Sequence, residues 1–162
     1  MLSRRIGKRA FSLLELVIVV VIIGIIAAIA IPRMSRGTAG ATDSALAGDL
    51  AVLRNAVDLF AAEHDGKYPT LAKIKNQLTQ YSDNLNTSDP VATRDKDHPF
   101  GPYLRTVPKL PVGVNKGKDT FTATSPAGVD PAGWFYDETT GKITANTLAT
   151  ELDAMETKYN EY

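Results

Sequence analysis

The sequence predicts an α+β protein: one long N-terminal helix, transmembrane in its first half and amphipathic in its second, packed on a small head with a short antiparallel β-sheet. Three observations carry this. An apolar run fills Phe11 to Ile31. A stripe of large apolar residues at helical spacing follows it. Several short strand-like segments then crowd the chain beyond residue 100. The expected organisation is a leader over 1–10, a membrane helix over 11–32, its amphipathic continuation over 33–66, and a head over 67–162.

The membrane expectation rests on length and flanks. From Leu16 to Ile31 every residue is apolar or glycine, and Phe11 to Ile31 is interrupted only by Ser12 and Glu15. At 1.5 Å per residue, 21 helical residues span roughly 31 Å, the thickness of a bilayer's hydrocarbon core. Arg4, Arg5, Lys8 and Arg9 precede the run with no acidic residue among them. The positive-inside bias therefore keeps residues 1–10 cytoplasmic and exports the rest. A secretory signal peptide has the same polarity, and Ala28-Ile29-Ala30 is a fair cleavage site for one. A soluble domain released after Ala30 is thus one alternative, and a permanent single-span anchor that keeps residues 1–10 is another.

Glu15 separates these readings. A carboxylate in a membrane helix costs up to about 3 kcal/mol at the bilayer centre and less near the interface. A signal peptide gains nothing from it, whereas a helix that must pair with other copies does. If the chain is cut before Phe11, the new amine is a cation four residues from Glu15, on the same chain or on a neighbour. The carboxylate also sits where the helix macrodipole favours an anion.

These residues, KRA-FSLLELVIVVVIIGIIAAIAIP, resemble the N-terminal cleavage and methylation motif of type IV pilins and type II secretion pseudopilins. The resemblance covers about 22 residues. It implies cleavage between Ala10 and Phe11 by a prepilin peptidase, N-methylation of Phe11, and contact of Glu15 with a neighbour's N-terminus. Gly24 stands where many members of the family carry a helix-loosening glycine, and Pro32 where the family pattern has a proline. The family usually has Gly before the cut; here the residue is Ala10, also small. The implied protein is a structural subunit, not an enzyme, that forms a homo-polymer through its N-terminal helix. Its expected partners are the peptidase, the assembly machinery and, before assembly, the membrane.

Pro32 is expected to kink or interrupt the helix, and Gly37 and Gly40 to weaken it. Leu46, Leu50, Leu53, Val57 and Phe60 then recur at spacings of four and three, a core-facing helical stripe. Gly66 offers a left-handed stop. Thr70 is a candidate N-cap for a short helix bearing Leu71, Ile74 and Leu78. Residues 82–102 are rich in Asp, Asn, Thr, Pro and Gly and read as a loop. Leu104–Val107, Thr120–Thr124, Gly133–Tyr136 and Lys142–Ala145 are strand candidates, the last two joined by a hairpin-like turn. Trp134, Phe135 and Tyr136 must alternate faces, with at least one in the core. Residues 147–162 suit either an amphipathic helix or a frayed tail.

Composition removes several function classes. Cysteine is absent, so there is no disulfide framework and no cysteine nucleophile. Without residues 1–10 the chain holds 14 basic and 18 acidic residues, a poor balance for general nucleic-acid binding. No phosphate loop, dinucleotide fingerprint or zinc spacing occurs. His64 and His98 read as surface or capping residues. Asn86-Thr87-Ser88 fits a glycosylation sequon. No cofactor is expected, although Asp89, Asp95, Asp97 and Asp119 are weak candidates for a calcium ion, which takes six to eight oxygens.

Overall fold

The computed structural model describes residues 11–84, 89–124 and 130–162, without the side chains of 29–39. The leader with Ala10, the Asn86-Thr87-Ser88 sequon and the Pro32 ring lie outside the described residues. The chain forms two compact units, Met1–Thr38 and Ala39–Tyr162. One helix, α1 (Leu13–Glu63), contributes to both; it is not interrupted at Pro32, where the sequence suggested a kink or a break.

In the first unit α1 carries the apolar run. Among the described residues no helix is long and apolar enough to cross a membrane. The described apolar side chains end at Ala28, three residues before the run itself does at Ile31.

In the second unit the helical stripe becomes the core, as its spacing requires. Leu46, Leu50, Leu53, Val57 and Phe60 are all buried. They meet Trp134, Tyr136, Ile143 and Ala145 from the sheet and Leu110 and Val112 from the connecting segment. Beyond Glu63 the chain turns through two left-handed residues, Asp65 and Gly66. The Gly66 N–H returns to the Ala61 carbonyl at 2.8 Å, which satisfies one of the helix's orphan acceptors.

The short helix α2 spans Ile74–Thr79 and buries Ile74, Gln77 and Leu78. Thr70 is not its N-cap. Lys73 holds that position without a side-chain cap, and the Gln77 amide oxygen instead reaches back to the Thr70 N–H at 2.9 Å.

The sheet is smaller than expected and is mixed. Among the described residues it has three strands in the order β1 (Phe121–Thr122), β2 (Trp134–Asp137), β3 (Lys142–Ala145). Only β2 and β3 are antiparallel, with Trp134 opposite Ala145 and Asp137 opposite Lys142. β1 runs parallel to β2, with Phe121 opposite Trp134. The hairpin turn is held by the Asp137 carboxylate, which accepts the Thr139 N–H and the Thr140 hydroxyl. Leu104–Val107 is not a strand. The Tyr103 and Leu104 N–H groups both go to the Leu78 carbonyl at the end of α2, so they are not offered to a ladder. Within 82–102 the described backbone is loop, tied by single bridges of Tyr81 to Val91 and Ser82 to Phe100.

Residues 147–162 form neither a helix nor a loose tail. The Asp153 carboxylate accepts the N–H groups of Met155 and Thr157, which competes with a helical ladder. Glu156 is left-handed, and a single 3-10 turn closes the chain at Tyr159–Glu161. This strap is tied to α1 by its polar groups. The Tyr159 hydroxyl and the Ala154 N–H both donate to Asp43, and Arg54 donates to the carbonyls of Ile143 and Tyr162.

Candidate functional site

The candidate site is the start of α1. The helix begins at Leu13, and its first backbone bond runs from the Leu16 N–H to the Ser12 carbonyl at 3.2 Å. Glu15 is the acidic residue of the first turn, four positions beyond Phe11, and is exposed. Its side chain therefore stands beside helix N–H groups that have no partner in the ladder. Phe11 itself is 78% exposed.

The rest of the segment has one notable property. Every large apolar side chain from Phe11 to Ile26 is at least 45% exposed. Single exposed apolar residues are ordinary, but an unbroken helix of them marks a surface built to be covered. A Cβ added at Gly24 would meet nothing within 4 Å. Gly24 thus leaves a shallow notch in the apolar surface, where another helix can approach closely. Phe11, Glu15 and Gly24 share this helix; Ala10 and the Pro32 side chain are not among the described residues.

The four calcium candidates are not brought together. Among the described residues no group of three or more His, Cys, Asp or Glu side chains could hold a metal ion. Asp89 pairs with Lys73 at 2.7 Å and Asp119 with Lys75 at 2.9 Å. The Lys75 bond also holds the Asp119 carboxyl below the usual range. Asp95 accepts three local donors: the His98 ring Nδ1 and the N–H groups of Asp97 and His98. The His98 bond is the main reason its carboxyl is lowered.

His64 corrects the sequence reading, which made it a surface or capping residue. It is fully buried and stacks on Phe60 with ring centres 3.8 Å apart. Its Nδ1 donates to the Phe60 carbonyl at 2.7 Å, which leaves Nε2 to accept the Ser82 hydroxyl at 3.0 Å. It continues the Leu46–Phe60 stripe by one more step of four, and that spacing was the available signal. His98 is half-buried beside Asp95.

A second surface was missed. On α1, Ala41, Ala45, Gly48, Val52, Asn55, Leu59 and Ala62 are all exposed. They recur at spacings of four and three, like the core stripe, but on the other side of the helix. The signal was present as periodicity and was masked because these residues are mostly small.

Comparison with known proteins agrees with this geometry. The family description "Prokaryotic N-terminal methylation motif" matches residues 5–31. The Type II secretion system core protein G of Klebsiella pneumoniae is 29% identical over 106 residues, 65% of this chain and 70% of that protein. The Type IV major alpha-pilin of Moraxella bovis is 31% identical over 119 residues, 73% of this chain and 69% of that protein. Fimbrial protein Q of Moraxella bovis is 39% identical over 74 residues, 46% of each chain. No solved structure matches. The likeness to the alpha-pilin extends well past the N-terminal motif into the head, and on that breadth the chain belongs to the family of type IV pilins and type II secretion pseudopilins.

Proposed function

We propose that the chain is cut between Ala10 and Phe11, methylated on the Phe11 amine, and polymerised through the apolar half of α1. The observation that carries this is the exposed apolar helix with a single carboxylate in its first turn. Burying each such side chain is worth about 1.5–3 kcal/mol relative to water. In the monomer that burial is supplied by a bilayer, which the run from Phe11 to Ile31 is long enough to span. In a filament, neighbouring helices replace the lipid, with gains from close packing rather than from apolar transfer. Glu15 then needs a cation, and the Phe11 amine of an adjacent copy supplies one.

In this reading the head stays outside the cytoplasm throughout, first on the membrane and then on the filament surface. The prepilin peptidase and the assembly machinery are its partners before and during extraction. Both a type IV pilus and a secretion pseudopilus are compatible with these contacts.

Two measurements test the reading. Intact mass and N-terminal sequencing of the chain from its native membrane should give a methylated Phe11 start. A start at Ile31, or at Met1 in cells with active peptidase, would overturn it. Glu15→Ala should still insert and be cut, but should assemble at least 10-fold less filament, the effect of losing about 1.4 kcal/mol or more per contact. Filaments at the normal level from that variant would remove the pairing role.

A further inference from the structure

Filament growth needs two different surfaces on each copy. A surface that pairs with itself closes a dimer, whereas a head-to-tail contact can repeat without end. The described head carries two exposed apolar features of opposite charge surroundings that fit this need.

The first is the outer stripe of α1. Val52 and Leu59 are about half exposed on the side of the helix opposite the core. At 100° per residue, Asp49 lies on one flank of the stripe and Asp58 on the other. Burial raises the Asp49 carboxyl above its usual value. Neither acid has an ion pair among the described residues, whose salt bridges all lie elsewhere.

The second is a knob. Gly113 and Gly117 are left-handed, and the Gly117 N–H returns to the Leu110 carbonyl at 2.8 Å. Leu110 and Val112 anchor this turn in the core. Asn115 anchors it again, donating to the carbonyls of Asp130 and Asn146, both at 2.9 Å. What the turn presents is Val114, 60% exposed, next to the exposed Lys116. A tip held this firmly loses little freedom on docking.

Resting on the filament reading above, we infer that the Val114 knob of one copy docks on the Val52–Leu59 stripe of a second copy, with Lys116 meeting the acids that flank it. The stripe lies on the outer side of α1 and the knob on a separate turn after Leu110, so the two are different surfaces of one copy. The contact is therefore heterologous and repeats. The second copy is favoured over an unrelated partner by this charge match, acidic on one surface and basic on the other.

The chain has no cysteine, so introduced thiols report the contact cleanly. Full-length Leu59→Cys and Val114→Cys chains, carrying different tags, are co-expressed and oxidised in membranes and in filaments. The expected product is a disulfide dimer containing both tags. Filaments that form without it, or crosslinks that join 59 to 59, 114 to 114, or either position to another protein, would overturn the docking. In the same background Asp58→Lys or Lys116→Asp should each lower the 59–114 yield on the order of 2–5-fold, as for an exposed ion pair. The two changes together should restore it. Unchanged yields in the single reversals, or no restoration in the pair, also count against the contact. A chain that starts at Met1 or Ile31 overturns the filament reading by itself, while a 59–114 crosslink in its membranes would leave the docking standing.

Discussion

At the residue scale, the clearest constraints are positions where a side chain could not be placed. Gly141 closes the β2–β3 hairpin at φ +71°, and a Cβ there would lie 2.5 Å from the Tyr68 ring. Gly117 has φ +87°, but open space surrounds it. Gly141→Ala should therefore cost roughly 2–4 kcal/mol, from left-handed strain plus overpacking. Gly117→Ala should cost only the strain, about 1–2 kcal/mol. Urea unfolding of the purified full chain in detergent measures both. Equal losses would mean that the Tyr68 contact has no weight. The hairpin glycine was readable from Asp137-Glu138-Thr139-Thr140-Gly141, because the turn is local. The Tyr68 contact was not, since it joins residues far apart in sequence. The same distinction explains the histidines: the Ser82 partner that makes burial of His64 tolerable lies on another segment.

At the element scale, the strap over 147–162 is the part that local pattern misjudged. Leu148, Leu152, Met155 and Tyr159 have helical spacing, yet Met155 is 87% exposed. The polar groups win because Asp153 satisfies nearby N–H groups and Asp43 receives two donors from the strap. Arg54→Ala should cost about 1–2 kcal/mol and speed amide exchange in the strap while leaving β2 protected. Faster exchange across the whole sheet would place Arg54 in the general core instead. The strap should also open at both extremes of pH. Burial, and then the bond to Asp43, push the Tyr159 hydroxyl up to about 12 from 10.0. Its contribution is full below pH 10 and is lost as pH rises through about 12. The Asp153 carboxyl is lowered, chiefly by the Tyr162 hydroxyl bond. Its contribution is present above the ordinary carboxylate value and is lost as pH falls through the lowered one. Ultraviolet tyrosinate titration checks the alkaline limb: a Tyr159→Phe chain should lose a late-titrating group.

At the scale of the whole molecule, the two units have different jobs and should fail separately. Phe60 is fully buried among α1, Tyr103 and His64. Phe60→Ala should destabilise the head by about 3–5 kcal/mol. On the proposed reading the variant should still enter the membrane and be cut before Phe11, because that reading assigns both steps to the apolar run and the motif. Glu15→Ala should do the reverse, leaving thermal melting of the head unchanged while filament yield falls. Mass spectrometry and head melting on the two variants test this together. Loss of processing in Phe60→Ala would show that the peptidase needs a folded head.

The sequence by itself determined the long helix, its apolar first half, the carboxylate in its first turn, the core stripe and the hairpin. Each is written as a run, a period or a local turn, so neighbouring residues suffice to read it. Only the tertiary structure decided that β1 joins in parallel, because Phe121–Thr122 finds its partner in β2, across a connection that local pattern does not fix. It also decided that the Tyr103 and Leu104 N–H groups go to the Leu78 carbonyl at the end of α2. The outer stripe of α1 and the Val114 knob belong here too. Their significance lies in what remains exposed once the core has formed, and exposure is a property of the folded chain rather than of any one segment.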